Sequence, residues 1–287
     1  MAGVRIVTDS SCDLTTEEAE HLGVDIVPLS IRFGDKEFTD RVDLSVEEFY
    51  RRLDESVDLP ETAAPAPGAF ELVFRRAADN GFDAVVCINL SSDLSATIQS
   101  AQNAARAIAD TIDVRVVDSR SITSGLGAQV TAAAEAARDG ASADELVAMV
   151  ESMSKRTRII AALDTLENLK KGGRIGGAQA LLGNLLSIKP LIDVSSGKVE
   201  EAGKARTRKK ALRWLADRLL EEPAVERLSV CHGEATDLDE FLELLAPRYS
   251  RDDIRIGLIG AVIGTHGGPR VMGVTWQQPS GSQPTGS

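Results

Sequence analysis

Short apolar runs alternate with amphipathic stretches along the first half of the chain. The runs at 4–7, 84–88 and 114–117 predict short strands, and 84–88 has the continuous apolar character of a strand buried on both faces. Capping boxes at Ser45 and Ser142 predict the starts of two helices between and after these strands. Because strands and helices alternate, this half predicts a parallel sheet with helices on both faces.

The pattern changes after Arg158, where hairpins mix with helices. Strands are predicted at 159–163, 228–231 and 254–261, a hairpin at 190–194 and 198–202, and helical segments at 166–171, 178–186, 208–221 and 238–246. We therefore predict an α/β protein with an N-terminal α/β domain at 1–157 and a C-terminal α+β domain at 158–278. The remaining residues, 279–287, are rich in Gly, Ser, Pro and Gln and are predicted to form a disordered tail.

Composition narrows the class of protein. A formal charge of −12 over 287 residues argues against general nucleic-acid binding. The three cysteines are too few and too scattered for a disulfide framework or a zinc site, so we expect no metal and a reducing, cytoplasmic location. We find neither a signal peptide nor an apolar run of the ~18 residues that a membrane span needs.

Polar residues follow three of the predicted strands, in the loops 8–11, 91–95 and 118–119. In a doubly wound sheet the carboxyl ends of the strands form the binding crevice. Ser95 stands where a helix begins, and free N–H groups there favour an anion. The alternative is that Ser92 or Ser95 only caps its helix, and the two roles can coexist.

Two further residues are candidates for the same crevice. Thr62, in a Pro/Ala-rich linker, can add a hydroxyl, or it is an ordinary loop threonine. His266 lies in a predicted glycine-rich loop at 264–269, where it can donate a hydrogen bond to a carboxylate. The alternative is a histidine that anchors its own glycine turn.

Two arginines are candidates for a phosphate or a partner. Arg174, in a Gly-Gly-Arg turn, suits an anion, or it caps the preceding helix. Arg206 belongs to the basic cluster 204–210, which stands at the N-terminus of a predicted helix. Cations there oppose the helix dipole by about 0.3–1 kcal/mol each, which favours an anionic or acidic partner over a solvated face.

The usual signatures of cofactor enzymes are missing. The chain has no P-loop, no G-x-S-x-G elbow and no H-E-x-x-H pair, and the glycines at 172–177 follow a predicted helix rather than a strand. We therefore expect a binding protein without a cofactor.

Six segments together resemble the DegV family of fatty-acid-binding proteins, and the resemblance covers nearly the whole chain. They are TDSSCDL at 8–14, TAAP at 62–65, SSDLSAT at 91–97, DS at 118–119, LDTLENLKKGGRI at 163–175 and GTHGGP at 264–269. The resemblance implies a DegV-like two-domain fold that buries one long-chain fatty acid between its domains.

The resemblance also implies roles for residues and partners. Thr62 and Ser95 would hold the carboxylate and His266 would complete the site, with Ser92 and Ala96 beside it. Arg174 and Arg206 would face a partner or a phosphate. In bacteria with an ATP-dependent fatty-acid kinase, such proteins carry the acid whose carboxylate the kinase phosphorylates for phospholipid synthesis, and transient contact with a membrane is allowed.

The chain departs from the family pattern at two places. Ala96 stands where the family usually has Gly, and Ala63-Ala64 stand where it favours Ser-Gln. Both changes make the head-group region less polar or less open. Two alternatives remain: a lipid hydrolase or acyl transferase that uses His266 with a serine, and a lipid sensor that regulates another protein.

An acyl chain needs an apolar surface, which we predict beside Arg174 from four leucines, Leu181, Leu182, Leu185 and Leu186. Burial of ~14 methylenes gives a gross ~11 kcal/mol, whereas a charge-assisted hydrogen bond adds ~1.5–3 kcal/mol. We therefore expect the tail to set affinity and the head group to set orientation.

Overall fold

Three sheets organise the described part of the chain. A computed structural model describes residues 3–184 and 188–280, together with their side chains except those of 182–184. Its sheets have the strand orders β2-β1-β6-β7, β10-β9-β8-β13-β11-β12 and β4-β3-β5. The strands are β1 (Val4–Asp9), β2 (Val24–Val27), β3 (Ser30–Phe33), β4 (Lys36–Thr39), β5 (Glu61–Ala63), β6 (Ala84–Asn89), β7 (Asp113–Asp118), β8 (Thr157–Ala162), β9 (Lys189–Asp193), β10 (Glu200–Ala205), β11 (Glu226–His232), β12 (Arg255–Leu258) and β13 (Met272–Gln277).

Helices cover the sheets. They are α1 (Thr16–Leu22), α2 (Val46–Glu55), α3 (Pro67–Asp79), α4 (Thr97–Ala107), α5 (Thr123–Arg138), α6 (Ala143–Arg156), α7 (Glu167–Lys171), α8 (Arg208–Leu220), α9 (Leu238–Leu245) and α10 (Ala261–Gly267). Short 3-10 segments occur at Ser10–Cys12, Gly176–Asn184 and Arg251–Asp253. The predicted capping box at Ser142 forms, with its hydroxyl on the N–H of Glu145.

The first sheet confirms the predicted parallel architecture. All of its neighbouring strands are parallel, with β1 between β2 and β6 and with β7 beside β6. Apolar residues of β6 point alternately to two cores: Val85 and Cys87 pack with α3 and α4, and Val86 and Ile88 pack with α5 and α6. The strand is therefore buried on both faces, as its continuous apolar run predicts.

The second sheet is mixed, as the predicted α+β pattern requires. Only β11 and β12 pair in parallel, and the predicted hairpin forms as the antiparallel pair β9–β10. On one face, α8 and α9 cover residues such as Ile160 and Val230. On the other face, Ala161, Ile192 and Cys231 join the core shared with α5 of the first sheet. The two sheets thus face each other across one apolar layer.

The third sheet was not predicted. The stretch 25–33 divides between β2 of the parallel sheet and β3 of a separate antiparallel sheet. Part of the expected Pro/Ala linker is strand β5, which pairs with β3 and places Thr62 opposite Ile31. Three residues are too few to show a period of two, so the pairing is decided by tertiary contact.

The predictions of a loop at 264–269 and of a strand at 254–261 are wrong in part. The strand ends at Leu258, and α10 begins at Ala261. A Cβ on Gly264 would lie 2.7 Å from Tyr50 Oη and 2.8 Å from Phe49 Cε1. Gly264 is therefore needed for close packing of α10 on α2. The sequence suggested a loop because glycine is more typical of loops than of helices.

The predicted boundary near 157 lies at the junction of α6 and β8, and the division into domains stays a prediction. Contacts across it are extensive, since α10 shares a core with α2 and β3, and Tyr50 Oη donates to the carbonyl of Ile259 at 3.0 Å.

Among residues 3–184 and 188–280, no helix has both the length and the apolar character that a bilayer crossing needs. Residues 281–287 of the predicted tail lie outside the described residues.

Candidate functional site

A cavity lies where the three sheets meet. The space open to the centres of water-sized atoms is about 160 Å³. Its floor is the inner face of the six-stranded sheet, and its roof is formed by turns that follow β6 and β7 and by the start of α10. Apolar floor residues are Ile159, Ala161, Leu163, Ile192, Val194, Cys231, Val271 and Gly273, and apolar roof residues include Leu29, Leu90, Leu94, Ile122, Ile259, Val262 and Ile263.

Polar side chains are few and belong largely to the residues that the sequence singled out. Thr62, Ser95 and His266 line the cavity, together with Arg174 and the methyl group of Ala96. They come from β5, the turn before α4, α10 and the turn after α7. The tertiary structure therefore brings these five residues to one cavity, although they are spread over most of the chain.

Thr62 and His266 are in direct contact. Thr62 Oγ1 and His266 Nε2 lie 3.0 Å apart, and either can donate, depending on the tautomer of the imidazole. The contact depends on β5, because α10 packs against both β3 and β5. The alternative for Thr62, an ordinary loop threonine, does not describe this position.

His266 is held in a tight apolar site. A Cβ on Gly172 would lie 2.3 Å from His266 Nδ1, so only glycine lets the turn after α7 pack on the imidazole. The Nδ1 atom is buried without a hydrogen-bond partner among the described residues. Burial, and secondly the positive charge of Arg174, lower the pKa of His266 to about 4. The imidazole is therefore neutral near pH 7.

Ser95 lies one residue before the helix cap. Its Oγ is 2.9 Å from Thr97 Oγ1 and accepts the N–H of Thr97 at 3.2 Å, while the cap position itself is Ala96. The predicted capping role is thus only partly right. Since Ser95 also lines the cavity, its hydroxyl combines a local hydrogen bond with access to a ligand.

Arg174 closes one side of the cavity. Its Nε donates to the carbonyl of Leu94 at 3.2 Å, and its Nη1 donates to the carbonyl of Gly172 at 2.7 Å. The second bond is the helix-end interaction that was the alternative for this residue. The charged group remains at the polar end of an apolar cavity, where it favours an anion.

The acidic motif at 8–13 supports the site from outside the cavity. Asp9 accepts the N–H of Leu90 at 2.9 Å, at the start of the turn that carries Ser95. Asp13 accepts the N–H of Gly260 at 3.0 Å, at the start of α10, and pairs with Arg41 at 2.9 Å. Burial raises the pKa of Asp13 to about 7. The carboxylates of Asp9 and Asp13 therefore support the two sides of the cavity, and Asp9 does so although the loop 8–11 was expected to line it.

Two predicted residues lie elsewhere. Ser92 is exposed and donates to Asp118 Oδ2 at 2.6 Å, and it does not line the cavity. The geometry gives no reason to keep Ser92 as a ligand residue, because its hydroxyl is directed to a neighbouring loop. Arg206 is exposed after β10 and lies outside the lining, so its role toward a partner stays a prediction.

The sequence missed most of the apolar floor. Residues 159, 161 and 163 of the second sheet alternate toward the cavity, and this period of two was the available signal. The predicted leucine surface contributes little that can be described: Leu181 is buried in the core, and the side chains of Leu182, Leu185 and Leu186 lie outside the described residues.

The arrangement favours binding over hydrolysis. Among the described residues, the hydrogen-bond partner of His266 is Thr62, and no serine hydroxyl is bonded to the imidazole. Thr62 and His266 form a hydroxyl–imidazole pair, but Nδ1 of His266 has no orienting partner among the described residues, so the third member of a hydrolase triad is missing. What the site offers is an apolar volume that ends in a few hydrogen-bond donors and one cation.

Comparison with known proteins identifies the family. The model described as "Uncharacterised protein, DegV family" matches residues 3–278. The chain belongs to the DegV family. A DegV domain-containing protein of Listeria innocua is 33% identical over 277 residues, which cover 95% of this chain and 98% of that protein.

Solved structures of DegV proteins share the whole fold. A DegV family protein from Thermus thermophilus, described by its fatty-acid binding, superposes with a TM-score of 0.87 at 32% identity and covers 96% of this chain and 100% of that one. A stearic-acid-binding protein from Eubacterium ventriosum gives a TM-score of 0.85 at 28% identity and covers 96% and 98%. The predicted DegV-like α/β fold is confirmed.

Proposed function

We propose that this protein binds one long-chain fatty acid in the cavity between its facing sheets. The observation that carries the proposal is the composition of the lining: an apolar floor and roof with Thr62, Ser95, His266 and Arg174 as the polar end. The fatty-acid-binding DegV protein of Thermus thermophilus, at 32% identity, supports the same reading. Among the described residues, the lining lacks the several acceptors that a sugar or a nucleotide needs.

The carboxylate takes its hydrogen bonds from Thr62 and Ser95. With its proton on Nε2, neutral His266 donates a hydrogen bond to Thr62 Oγ1, which leaves the Thr62 hydroxyl to donate to the carboxylate. Arg174 supplies the countercharge, since its guanidinium lies at the same end of the cavity. Such charge-assisted bonds are worth about 1.5–3 kcal/mol each and fix which end of the acid faces outward.

The acyl tail supplies most of the affinity. Burial of ~14 methylenes contributes a gross ~11 kcal/mol before the entropic cost of association is subtracted. Ala96 and Ala63-Ala64 border the head group with methyl groups, which leaves fewer polar contacts than a serine and glutamine would provide. The head group therefore depends on the four polar residues already named.

We further propose that the bound carboxylate is presented to an ATP-dependent fatty-acid kinase in the cytoplasm, and that the protein itself carries no cofactor and no catalytic residue. The support is the family resemblance together with the position of Arg174 at the polar end of the cavity and the exposure of four cations, Lys204, Arg206, Lys209 and Lys210. A protein of charge −12 that concentrates cations at 204–210 offers an acidic partner a distinct docking region.

Mass spectrometry of the purified protein tests the binding. We expect a fatty acid in the denatured extract, or stoichiometric uptake of added palmitic acid by delipidated protein. Absence of both would overturn the proposal of fatty-acid binding.

The kinase step is tested separately. A fatty-acid kinase with ATP should form acyl-phosphate only when this protein is present, and Arg206→Ala should reduce the rate of acyl-phosphate formation without changing the binding of palmitic acid. Acyl-phosphate formation that does not depend on this protein would overturn the kinase step alone.

A further inference from the structure

A second, more open depression lies on the outer side of the cavity wall. Its volume is about 240 Å³, and its lining includes Asp93, Gly173, Lys198 and Glu200. Three residues, Leu94, Arg174 and Val199, line both the depression and the inner cavity. They therefore form a wall one side chain thick between the buried space and the surface.

The wall is made from three parts of the chain, two of which are turns that extend from different sheets. Leu94 belongs to the turn 91–95 after β6, and Val199 follows the hairpin turn 195–198 between β9 and β10. Arg174, from the turn after α7, bonds to the carbonyl of Leu94 and lines both spaces. Separation of the two turns would open this wall to a ligand.

Ser91 joins the two turns. Its Oγ donates to the carbonyl of Gly197 at 2.7 Å and accepts the N–H of Asp93 at 3.3 Å, and the side chain is fully buried. The carbonyl of Ser91 accepts the N–H groups of Leu94 at 3.0 Å and of Ser95 at 3.2 Å. One residue thus shapes the head-group turn and ties it to the opposite sheet.

The two turns are closely packed around Ser91, at the contact that we call the seam. Gly197 has a φ of +86°, and a Cβ there would lie 2.8 Å from Ser91 Oγ and 3.2 Å from Arg120 Cβ. On the outer side, Arg120 donates to the carbonyl of Ser196, and Asp93 forms ion pairs with Lys198 at 3.6 Å and with Arg120 at 3.7 Å. The seam has a buried hydrogen bond inside and weak, exposed ion pairs outside.

We propose that this seam keeps an entry portal for the fatty acid closed, and we call it the latch for this reason. The seam consists of Ser91, Asp93, Arg120, Gly197 and Lys198. The acid reaches the cavity from the outer depression, through the Leu94–Arg174–Val199 wall, when the hairpin turn moves away from the turn 91–95. This inference rests on the proposed fatty-acid binding. Ser91 is a positioning residue that acts on the rate of opening, since it does not line the cavity itself.

A latch has a kinetic signature. If opening limits both entry and exit, its loss raises the association and dissociation rate constants by the same factor and leaves Kd unchanged. For Ser91→Ala we expect both rate constants to rise about tenfold, the equivalent of about 1.4 kcal/mol. The measurement is transfer of palmitic acid between the protein and phosphatidylcholine vesicles in both directions, with Kd from the equilibrium partition.

Ser92→Ala is the matched control. It removes a hydroxyl from the same turn, but that hydroxyl bonds to Asp118 and does not reach the hairpin. We expect its transfer rates to equal those of the wild type. A change in Kd without equal changes in the two rates, or equal rates in Ser91→Ala and the wild type, would overturn the latch.

Lys198→Gln covers the case in which Ser91→Ala does not fold, because Lys198 is exposed on the outer side of the seam. We expect about twofold faster transfer than the wild type at low salt and no difference at high salt, where the ion pair is screened. Identical salt dependence in variant and wild type would contradict the proposal. Wild-type protein that retains no palmitic acid would instead overturn the fatty-acid binding on which it rests.

Discussion

The two ends of the cavity differ in how they are built. The apolar end comes from regular strands, where Ala161, Gly273 and Cys231 stand side by side in adjacent strands and face the same way. The polar end comes from a three-residue strand, two turns and a seven-residue helix that meet only in the folded state. Regular structure therefore provides volume, and irregular structure provides chemistry, as expected when binding groups lie on loops positioned by a scaffold.

The largest effect should come from filling the apolar end. Ala161→Phe places a ring where we propose that the tail lies, and we expect at least a thousandfold loss of palmitic acid binding, about 4 kcal/mol, because much of the gross ~11 kcal/mol of tail burial is then unavailable. Equilibrium partition against vesicles measures it. Ala107→Phe, at an exposed position of α4, is the control for the added ring. Retained affinity in Ala161→Phe would place the tail elsewhere.

A smaller effect, on the free energy of unfolding, is expected from the protonation of His266 at low pH. Its folded pKa of about 4 lies below the ordinary value near 6.5, so the unfolded chain binds more protons between these values. The wild type should therefore lose stability relative to His266→Asn as pH falls from 6.5 to 4, by on the order of 3 kcal/mol. Urea unfolding of the delipidated proteins at several pH values measures this. Parallel stability curves would show that the imidazole is not buried in the neutral form.

The hydrogen-bond donors at the polar end should contribute less than the tail. Thr62→Val with Ser95→Ala should weaken binding of palmitic acid by about 3 kcal/mol, or roughly 150-fold, since two bonds to the carboxylate are lost. The methyl ester provides the comparison: the wild type should prefer the free acid, and the double variant should keep only the smaller part of this preference that Arg174 supplies. A double variant that prefers the acid as strongly as the wild type does would remove these hydroxyls from the head-group site.

The smallest effect is expected for Ser92→Ala at equilibrium. Its hydroxyl is exposed and bonds to Asp118, so the free energy of unfolding and the affinity for palmitic acid should change by less than about 0.5 kcal/mol. Calorimetric unfolding and equilibrium partition measure both quantities. A tenfold loss of affinity would return Ser92 to the ligand site and change the assignment of the polar end.

The sequence predicted the parts of this protein that depend on local pattern. The apolar run at 84–88 predicts a strand covered on both faces, and β6 is one. The capping box at Ser142 predicts a helix start, and α6 begins there. The motif set also led to Thr62, Ser95, His266 and Arg174, which share one cavity. In these cases the information lies within a few neighbouring residues or in a family resemblance.

The failures have a common physical cause. Gly264 suggested a loop, whereas it is a contact point for Phe49 and Tyr50 on a helix. Ser91 and Ser92 are adjacent and chemically equal, yet one ties two sheets together and the other faces solvent. Local sequence gives no access to such differences, because they depend on which distant backbone carbonyl or side chain lies within a few ångströms.

The sequence by itself therefore determined the α/β class, most element positions and the residue types able to hold a carboxylate. The tertiary structure alone decided that β5 pairs with β3, that Gly172 makes room for the imidazole, and that Ser91 rather than Ser92 faces the hairpin. The reason is that periodicity and capping act over a few residues, whereas a cavity is defined by contacts between residues that are far apart along the chain.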